Sequence, residues 1–281
     1  MTANTRFTES DMKAFAPSEK VGMIATVTPD GLPHMSLLTS VMAAAPDKLM
    51  VGEFCRGLSK TYMQQTRKIG FAILTLDKKL WRGKALWTHL LKEGPEYEIY
   101  NKQPMFRYNT YFGINTVHYF DLVETSPGGP LPLGPVVLSA LKTKLAKSAA
   151  AGNGSEKVLT HFGEKLFNAL DSLKFLSFVG ADGYPVVVPL IQCQAADACR
   201  LAFNPGAFGD ALATLKSGTT VAVFALTMQM EDVLVRGTFR GYDRFRGIKL
   251  GAIDLEWVYN SMPPNHGQIY PPVPLQRVVN F

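Results

Sequence analysis

Residues 52–61 read GEFCRGLSKT and gather Arg56, Ser59 and Lys60 around Gly57, directly after the apolar run KLMVG. A guanidinium fork, a neutral hydroxyl donor and a mobile ammonium are side chains that together hold an anion, a phosphate above all, by charge-assisted hydrogen bonds. A glycine turn opening a short helix adds backbone N–H groups and the positive end of a helix dipole. The same residue types also suit a solvated turn after a strand, so spacing alone leaves both readings open. Other catalytic constellations are missing: the chain has no GxSxG, no HExxH, no Walker loop and no zinc-ligand spacing. Glu96 and Glu98 in EGPEYEIY would share a face if that segment is a strand, and they read as surface carboxylates rather than an acid–base pair. The three cysteines, Cys55, Cys193 and Cys199, form no CxxC and are expected as reduced thiols. Cys193 and Cys199 flank an apparent turn that could bring them together but read as packed thiols, and Cys55 reads as incidental, although a cationic neighbour could lower its pKa.

The elements that must position this cluster occur twice. TVTPDGLPHMSLLTS at 26–40 matches FVGADGYPVVVPLIQ at 178–192, with Asp30-Gly31 and Pro33 falling 152 positions before Asp182-Gly183 and Pro185. The same offset carries Lys48-Leu49 onto Arg200-Leu201, Gly57 onto Gly209, and ILTL (73–76) onto ALTM (225–228). A turn two residues longer would then bring Arg82-Gly83 onto Arg236-Gly237, and IYNKQP (99–104) answers VYNSMP (258–263). Each copy reads as strands: a β-rich run closed by Asp-Gly, the strongest short hairpin signal, then further alternating runs. SKTYMQQTRK has helical composition, and Gly83 in WRGKALWTHL marks a bulge or a close backbone approach. A helix precedes each copy, TESDMKAFA capped by Thr8 or Ser10, and SEKVLTHFGEKLFNAL. SPGGPLPLGP (126–135) is a connector, VVLSALKTKLAKSAA an amphipathic helix, AGNGS a flexible break, and the proline-rich tail MPPNHGQIYPPVPLQRV an extended wrap. The expected fold is mainly β with short helices (α+β), as two tandem small barrels. The expected domains are 1–135, a linker at 136–155, and 156–281.

With 281 residues, 47% of them hydrophobic and 19% charged, the chain can bury a substantial core in one large domain or two ordinary ones. The net charge of +6 is scattered, and its densest cluster, LKTKLAK, has the spacing of a solvated helix face, so no nucleic-acid stripe is expected. No apolar run is long enough to span a membrane, and MTANTRFTESDMKAF lacks a signal peptide's pattern, so a cytoplasmic protein is expected.

The ordered set DGLPHMSLLTSV (30–41), KLMVGEFCRGLSKTYMQQTRKIGFAIL (48–74) and RGKAL (82–86) resembles the FMN-binding split barrel of the pyridoxamine 5′-phosphate oxidase-like flavoproteins. The resemblance covers the first half of the chain and, more weakly, the second. It implies two split β-barrels fused as an internal pseudo-dimer, which allows a monomer, with FMN as cofactor between paired barrels. It implies that Arg56, Ser59 and Lys60 hold the flavin phosphate, that His34 and Thr39, on the strand after the hairpin, face the phosphate and the ring edge, and that Ser40 and the Gly52–Glu53 backbone lie nearby. Leu58-Ser59-Lys60 stands where the vitamin B6 oxidase has Ser-Arg-Lys, and PPVPLQRVVNF holds no counterpart of its substrate-binding arginine motif, which points away from pyridoxamine phosphate oxidation. The implied activity is an FMN-dependent oxidoreductase or reductase of a small molecule, with NAD(P)H as a candidate donor. A flavin carrier without its own substrate, or the same fold holding a deazaflavin or heme, stays open, although His89, His118, His161 and His266 form no heme motif. Tyr100, Trp87 and Trp257 either cover the flavin or belong to the core. The second copy places Phe208, Ala211 and Leu212 where the first has Arg56, Ser59 and Lys60, and adds Asp210, so one flavin per chain is expected.

Overall fold

The computed structural model describes residues 3–55, 57–103, 113–152, 154, 156–261 and 266–274. The chain divides into two compact units, Met1–Leu131 with Val179–Val187, and Pro132–Phe178 with Val188–Phe281. The first sheet-bearing stretch runs α1 (Glu9–Ala14), β1 (Lys20–Val27), β2 (Pro33–Leu37), β3 (Met42–Ala45), β4 (Lys48–Glu53), α2 (Leu58–Thr66), β5 (Lys68–Thr75), β6 (Lys79–Leu91), α3 (Pro95–Lys102), β7 (Thr116–Thr125) and β8 (Gly129–Pro130). Its antiparallel sheet has the order β2-β1-β5-β6-β7-β4-β3, with β8 on β6. Thr8, not Ser10, caps α1: its Oγ1 accepts from Asp11 N, and Asp11 returns the bond from the Thr8 N–H. The Asp30-Gly31 turn needs its glycine, because Gly31 has φ +79°. Ile24, Leu49, Val51, Phe71, Trp81 and Phe120 pack inside this sheet, fully or almost fully buried. Phe15, just after α1, meets the Trp81 ring edge-on at 5.4 Å. Each such side chain contributes on the order of 1.5–3 kcal/mol by leaving water.

The second stretch runs α4 (Leu133–Ala146), a 3-10 turn (Lys147–Ala150), α5 (His161–Asn168), β9 (Leu173–Val179), β10 (Pro185–Pro189), β11 (Gln194–Asp197), β12 (Arg200–Phe203), α6 (Gly209–Leu212), β13 (Thr220–Leu226), β14 (Asp232–Phe245), β15 (Ile248–Asn260) and β16 (Gly267–Tyr270). Its strand order, β10-β9-β13-β14-β15-β12-β11 with β16 on β15, repeats the first sheet strand for strand. The two sheets are therefore the tandem antiparallel β folds with short helices that the repeat predicts. Ladder registers show how faithful the copy is. Met42↔Met50 and Ala45↔Lys48 enclose a bulge in β3–β4, and Gln194↔Ala202 and Asp197↔Arg200 enclose the same bulge in β11–β12. The cross-strand pair Lys48–Asp121 (2.6 Å) is repeated as Arg200–Asp254 (2.5 Å).

Several sequence expectations change. The offset of 152 persists into the long hairpins without a longer turn: bulges at Lys84/Ala85 and Trp87/His89 recur at Arg236/Gly237 and Phe239/Gly241. Arg82-Gly83 is thus two residues out of register with Arg236-Gly237, a slip that preserves the strand face and so escapes a comparison of sequences. Gly83 does sit at a close approach, since a Cβ there would lie 2.1 Å from the Glu124 carbonyl oxygen. IYNKQP and VYNSMP are not counterparts, because Tyr100 lies in α3 whereas Tyr259 lies in β15. Glu96 and Glu98 belong to α3, not to a strand: Pro95 opens that helix and both carboxylates occupy its first turn. Thr39 lies in the turn between β2 and β3 rather than on a strand. The helix expected over SEKVLTHFGEKLFNAL is confined to α5, opened by Thr160. Of the proline-rich tail, 267–270 forms the edge strand β16, while 262–265 and 275–281 lie outside the described residues. No helix among the described residues is long and apolar enough to cross a membrane.

Candidate functional site

The end of β4 and the first turn of α2 open onto a cleft of about 550 Å³, lined by Glu53, Gly57, Lys60, Thr61, Gln64, Leu90, Lys92, Asn115 and Thr116. Lys60 is only 7% exposed. Its Nζ donates to the Cys55 carbonyl at 3.1 Å and lies 5.9 Å from the Phe54 ring centroid. Among the described residues no carboxylate is within ion-pair distance of it, so two of the ammonium's three donors have no protein acceptor there. Ser59 is buried, and its hydroxyl shares a 2.6 Å hydrogen bond with Ser36 on β2. Gly57 precedes α2 with extended backbone, φ −166°, which any residue can adopt, and a Cβ would only touch Lys60 at 3.7 Å. At the start of the nine-residue α2 the Lys60 N–H bonds to the Gly57 carbonyl at 3.1 Å, whereas the Leu58 and Ser59 N–H groups have no acceptor among the described residues and no side chain caps them.

The structure brings together Ser59, Lys60 and Gly57, with Glu53 and Ser36 as additions. Arg56 lies outside the described residues. His34 is buried on β2, edge-on to Tyr62 of α2 at 5.4 Å, and does not line the cleft. Ser40 donates to the Gly52 carbonyl at 2.8 Å, and its own carbonyl accepts from Tyr100 at 2.6 Å. The second copy keeps the first of these bonds with another residue: Gln192, 152 positions on from Ser40, donates to the Asn204 carbonyl at 3.0 Å. Ser40 therefore serves the fold, since the bond is kept in the copy that lacks the cations. Burial pushes the Cys55 thiol upward and outweighs the lowering by the neighbouring Lys60. Tyr100 is core, Trp257 stacks on Tyr259 at 5.1 Å and donates to Gln268, and Trp87 packs against the core of the first sheet.

A second polar group enters the cleft wall from behind. His118 on β7 is fully buried, with Nε2 at 2.7 Å from Glu53 Oε2 and Nδ1 at 3.2 Å from Trp87 Nε1. These residues are far apart in sequence, and only the β4–β7 and β6–β7 ladders bring them together. Sequence reading singled out His118 only as a histidine without a heme motif and missed the Glu53 side chain. Two other histidines have local partners: His89 is stacked on Tyr119 at 4.6 Å, and His266 Nδ1 lies 2.7 Å from the Tyr259 hydroxyl. No group of three or more metal-ligating side chains occurs among the described residues.

No family model matches the chain, and no curated protein does. Solved structures with similar folds include an FMN-binding protein from Syntrophomonas wolfei, 14% identical over 41% of this chain and 82% of its own, with a TM-score of 0.36. A candidate pyridoxamine 5′-phosphate oxidase from Lactobacillus delbrueckii is 17% identical over 45% of this chain and 100% of its own, TM-score 0.36. An F420 reductase is 14% identical over 43% and 98%, TM-score 0.34.

In the second copy four polar side chains at and beside the cleft are replaced by apolar ones. Val188 replaces Ser36, Ala211 replaces Ser59, Leu212 replaces Lys60 and Pro205 replaces Glu53. Val188 and Leu212 are fully buried. The long hairpin differs as well: β14 turns into β15 through Arg246-Gly247, both at positive φ, where the first copy has α3 and the segment around it.

Proposed function

We propose that the first unit binds a flavin-type cofactor, FMN foremost, by its phosphate at Gly57–Lys60, and that the protein is an oxidoreductase of a small molecule. One observation carries this reading: Lys60 is a nearly buried ammonium with a single backbone acceptor, facing a cleft, while its counterpart in a sheet of the same strand order is leucine. A buried cation held without a carboxylate is costly unless a ligand supplies the anion. A phosphate matches that demand, with Lys60 Nζ, the Ser59 hydroxyl and the Leu58 and Ser59 N–H groups at the start of α2 as donors. With the Ser36 hydroxyl donating to Ser59 Oγ across their 2.6 Å bond, the Ser59 proton is left for the phosphate. Arg56, next to Gly57 in sequence, adds a guanidinium fork to the set. A bound flavin supplies the hydride or electron transfer, and the chain's task is to hold it, orient it and admit the substrate.

The test is a flavin titration of purified protein, read by absorbance and fluorescence. One equivalent of FMN per chain is expected, with riboflavin, which lacks the phosphate, binding at least tenfold more weakly. Bleaching of the bound flavin by anaerobic NADH or NADPH supports a reductase. Equal affinity for FMN and riboflavin would remove the phosphate assignment, and persistent colour with both donors would favour a flavin carrier.

A further inference from the structure

The Trp87–His118–Glu53 chain has a direction that chemistry fixes. The indole N–H is only a donor, so His118 Nδ1 must be its acceptor and carry no proton. Nε2 then carries the imidazole proton and donates it to Glu53 Oε2 at 2.7 Å. Both donors therefore run toward one carboxylate that lines the cleft. Oε1 has no hydrogen-bond partner among the described residues.

The fold does not require this chain. At the same ladder positions the second copy has Pro205, Gly251 and Phe239, for Val51↔His118 becomes Phe203↔Gly251 and Trp87↔Phe120 becomes Phe239↔Ile253. A Cβ on Gly251 would lie 2.6 Å from the Phe203 ring and 3.0 Å from the Phe239 ring, so two phenyl groups fill the space that His118 occupies in the first copy. An apolar solution to this part of the core exists in the same molecule. The copy that keeps Lys60 also keeps a buried imidazole and an indole N–H aimed at Glu53.

We propose that Glu53 is a ligand-binding residue, with His118 and Trp87 as its positioning residues, so that the cleft takes a ligand bearing both a phosphate and a hydrogen-bond donor such as a hydroxyl chain. Lys60 and α2 take the anion, and Glu53 Oε1 accepts from the donor. This rests on the reading of the cleft as a phosphate site, and it adds a second requirement that inorganic phosphate alone does not meet.

The experiment measures binding of FMN and of inorganic phosphate by calorimetry to the full chain and to three variants. Glu53→Gln keeps size and packing: His118 claims the amide oxygen, and the cleft is offered an NH2 donor in place of an acceptor. FMN affinity should fall about 10- to 100-fold, the range for a hydrogen bond to a charged group, with phosphate affinity unchanged. Trp87→Phe, the residue of the second copy, should give a smaller loss for FMN and alter the His118 ring ¹⁵N shifts as Nδ1 loses its donor and the Nε2–H tautomer is no longer held. A packing role alone would leave those shifts in place. Lys60→Ala should weaken both ligands. Loss of FMN binding in Lys60→Ala with none in Glu53→Gln overturns the Glu53 assignment and leaves the phosphate site standing. An unsubstituted chain that binds phosphate but no FMN overturns the flavin reading and this proposal together, and failure to bind either removes the cleft as an anion site.

Discussion

Lys60→Leu separates a cation kept for a ligand from one kept for the fold, because the molecule already contains the answer at Leu212. That leucine is fully buried at the equivalent place, so the substitution asks the first sheet to accept a side chain its copy accommodates. Without ligand, the variant loses the Nζ bond to the Cys55 carbonyl, which lies in a half-buried turn where water can replace it. It also sheds the cost of a nearly buried ammonium, so apo stability should change by less than about 1 kcal/mol. With ligand the outcome inverts. FMN at 100 times its Kd stabilises the unsubstituted protein by about 2.7 kcal/mol. Removing a charge-assisted hydrogen bond to the phosphate weakens binding by about 100-fold at its upper range, which reduces that gain to about 0.4 kcal/mol. At roughly 2–4 °C per kcal/mol, an FMN-induced Tm shift of about 5–10 °C should shrink to about 1 °C. Thermal melts with and without FMN read both quantities. An apo variant destabilised by several kcal/mol would make Lys60 a fold residue, and an undiminished FMN shift would place the phosphate elsewhere.

Replacing both members of the Ser36–Ser59 pair by Val and Ala, as in the second copy, should leave urea stability within about 1 kcal/mol, whereas Ser59→Ala alone should cost about 1 kcal/mol by leaving Ser36 unpaired; both variants should weaken FMN. Ser40→Ala should cost about 1–3 kcal/mol in urea unfolding and leave FMN affinity unchanged, since its hydroxyl holds the Gly52 carbonyl and not the cleft. Burial draws Lys20 and Lys174 down to a pKa of about 8, their ammonium groups donating to the carbonyls of Pro17 and Ala169. A folded pKa below the unfolded one means the unfolded chain binds more protons between pH 8 and 10.5. Stability should therefore be insensitive to these groups below pH 8 and rise across that window by up to about 3 kcal/mol per lysine. Urea midpoints from pH 7.5 to 10 should show the rise, and Lys174→Met should reduce its slope; an unchanged slope in that variant would mean its amine titrates normally.

Most of the strand plan was legible because the repeat was. Asp-Gly hairpins, a common offset and two cation-bearing or cation-free turns sufficed to predict tandem antiparallel sheets and to single out Gly57–Lys60. What failed did so for identifiable reasons. Arg-Gly is a short word, and a two-residue slip in a strand keeps every side chain on its face, so only the paired bulges reveal the true register. Pro95, two acidic residues in the first turn and Lys102 in the last are helix signals that outweigh the aromatic, strand-like look of EYEIY. Glu53, Trp87 and His118 carry no local motif. Their relation exists only across ladders, and the shortened β14–β15 turn changes the offset just before the residue that answers His118, which hides its replacement by Gly251.

That change of offset bears on how the cleft of the first copy is walled. Point substitutions account for Lys60, Ser59, Ser36 and Glu53, but Leu90, Lys92, Asn115 and Thr116 all lie where β6 leaves and β7 re-enters the sheet. In the second copy the same ladder positions exist, with Tyr242 at the Leu90 position, Arg244 at Lys92, Ile248 at Asn115 and Lys249 at Thr116, and the strands then close through two residues without a helix like α3. The connection in the first copy is anchored into the same sheet corner. Tyr100 donates to the Ser40 carbonyl, and Asn101 both accepts from the Ile114 N–H and donates to its carbonyl, fixing the approach to β7 from which His118 follows. The segment thus supplies the cleft's outer wall and braces the turn behind it, while α4 meets the corresponding corner of the second sheet through bonds from Gln194 to Ala140 and from the Asn204 N–H to Thr143. Each sheet has its corner covered by a helix, α3 in the first and α4 in the second, and in the first a cavity opens beside Lys60. The two copies accordingly differ at this corner both in the side chains at shared ladder positions and in the α3 connection that only the longer route between β6 and β7 carries.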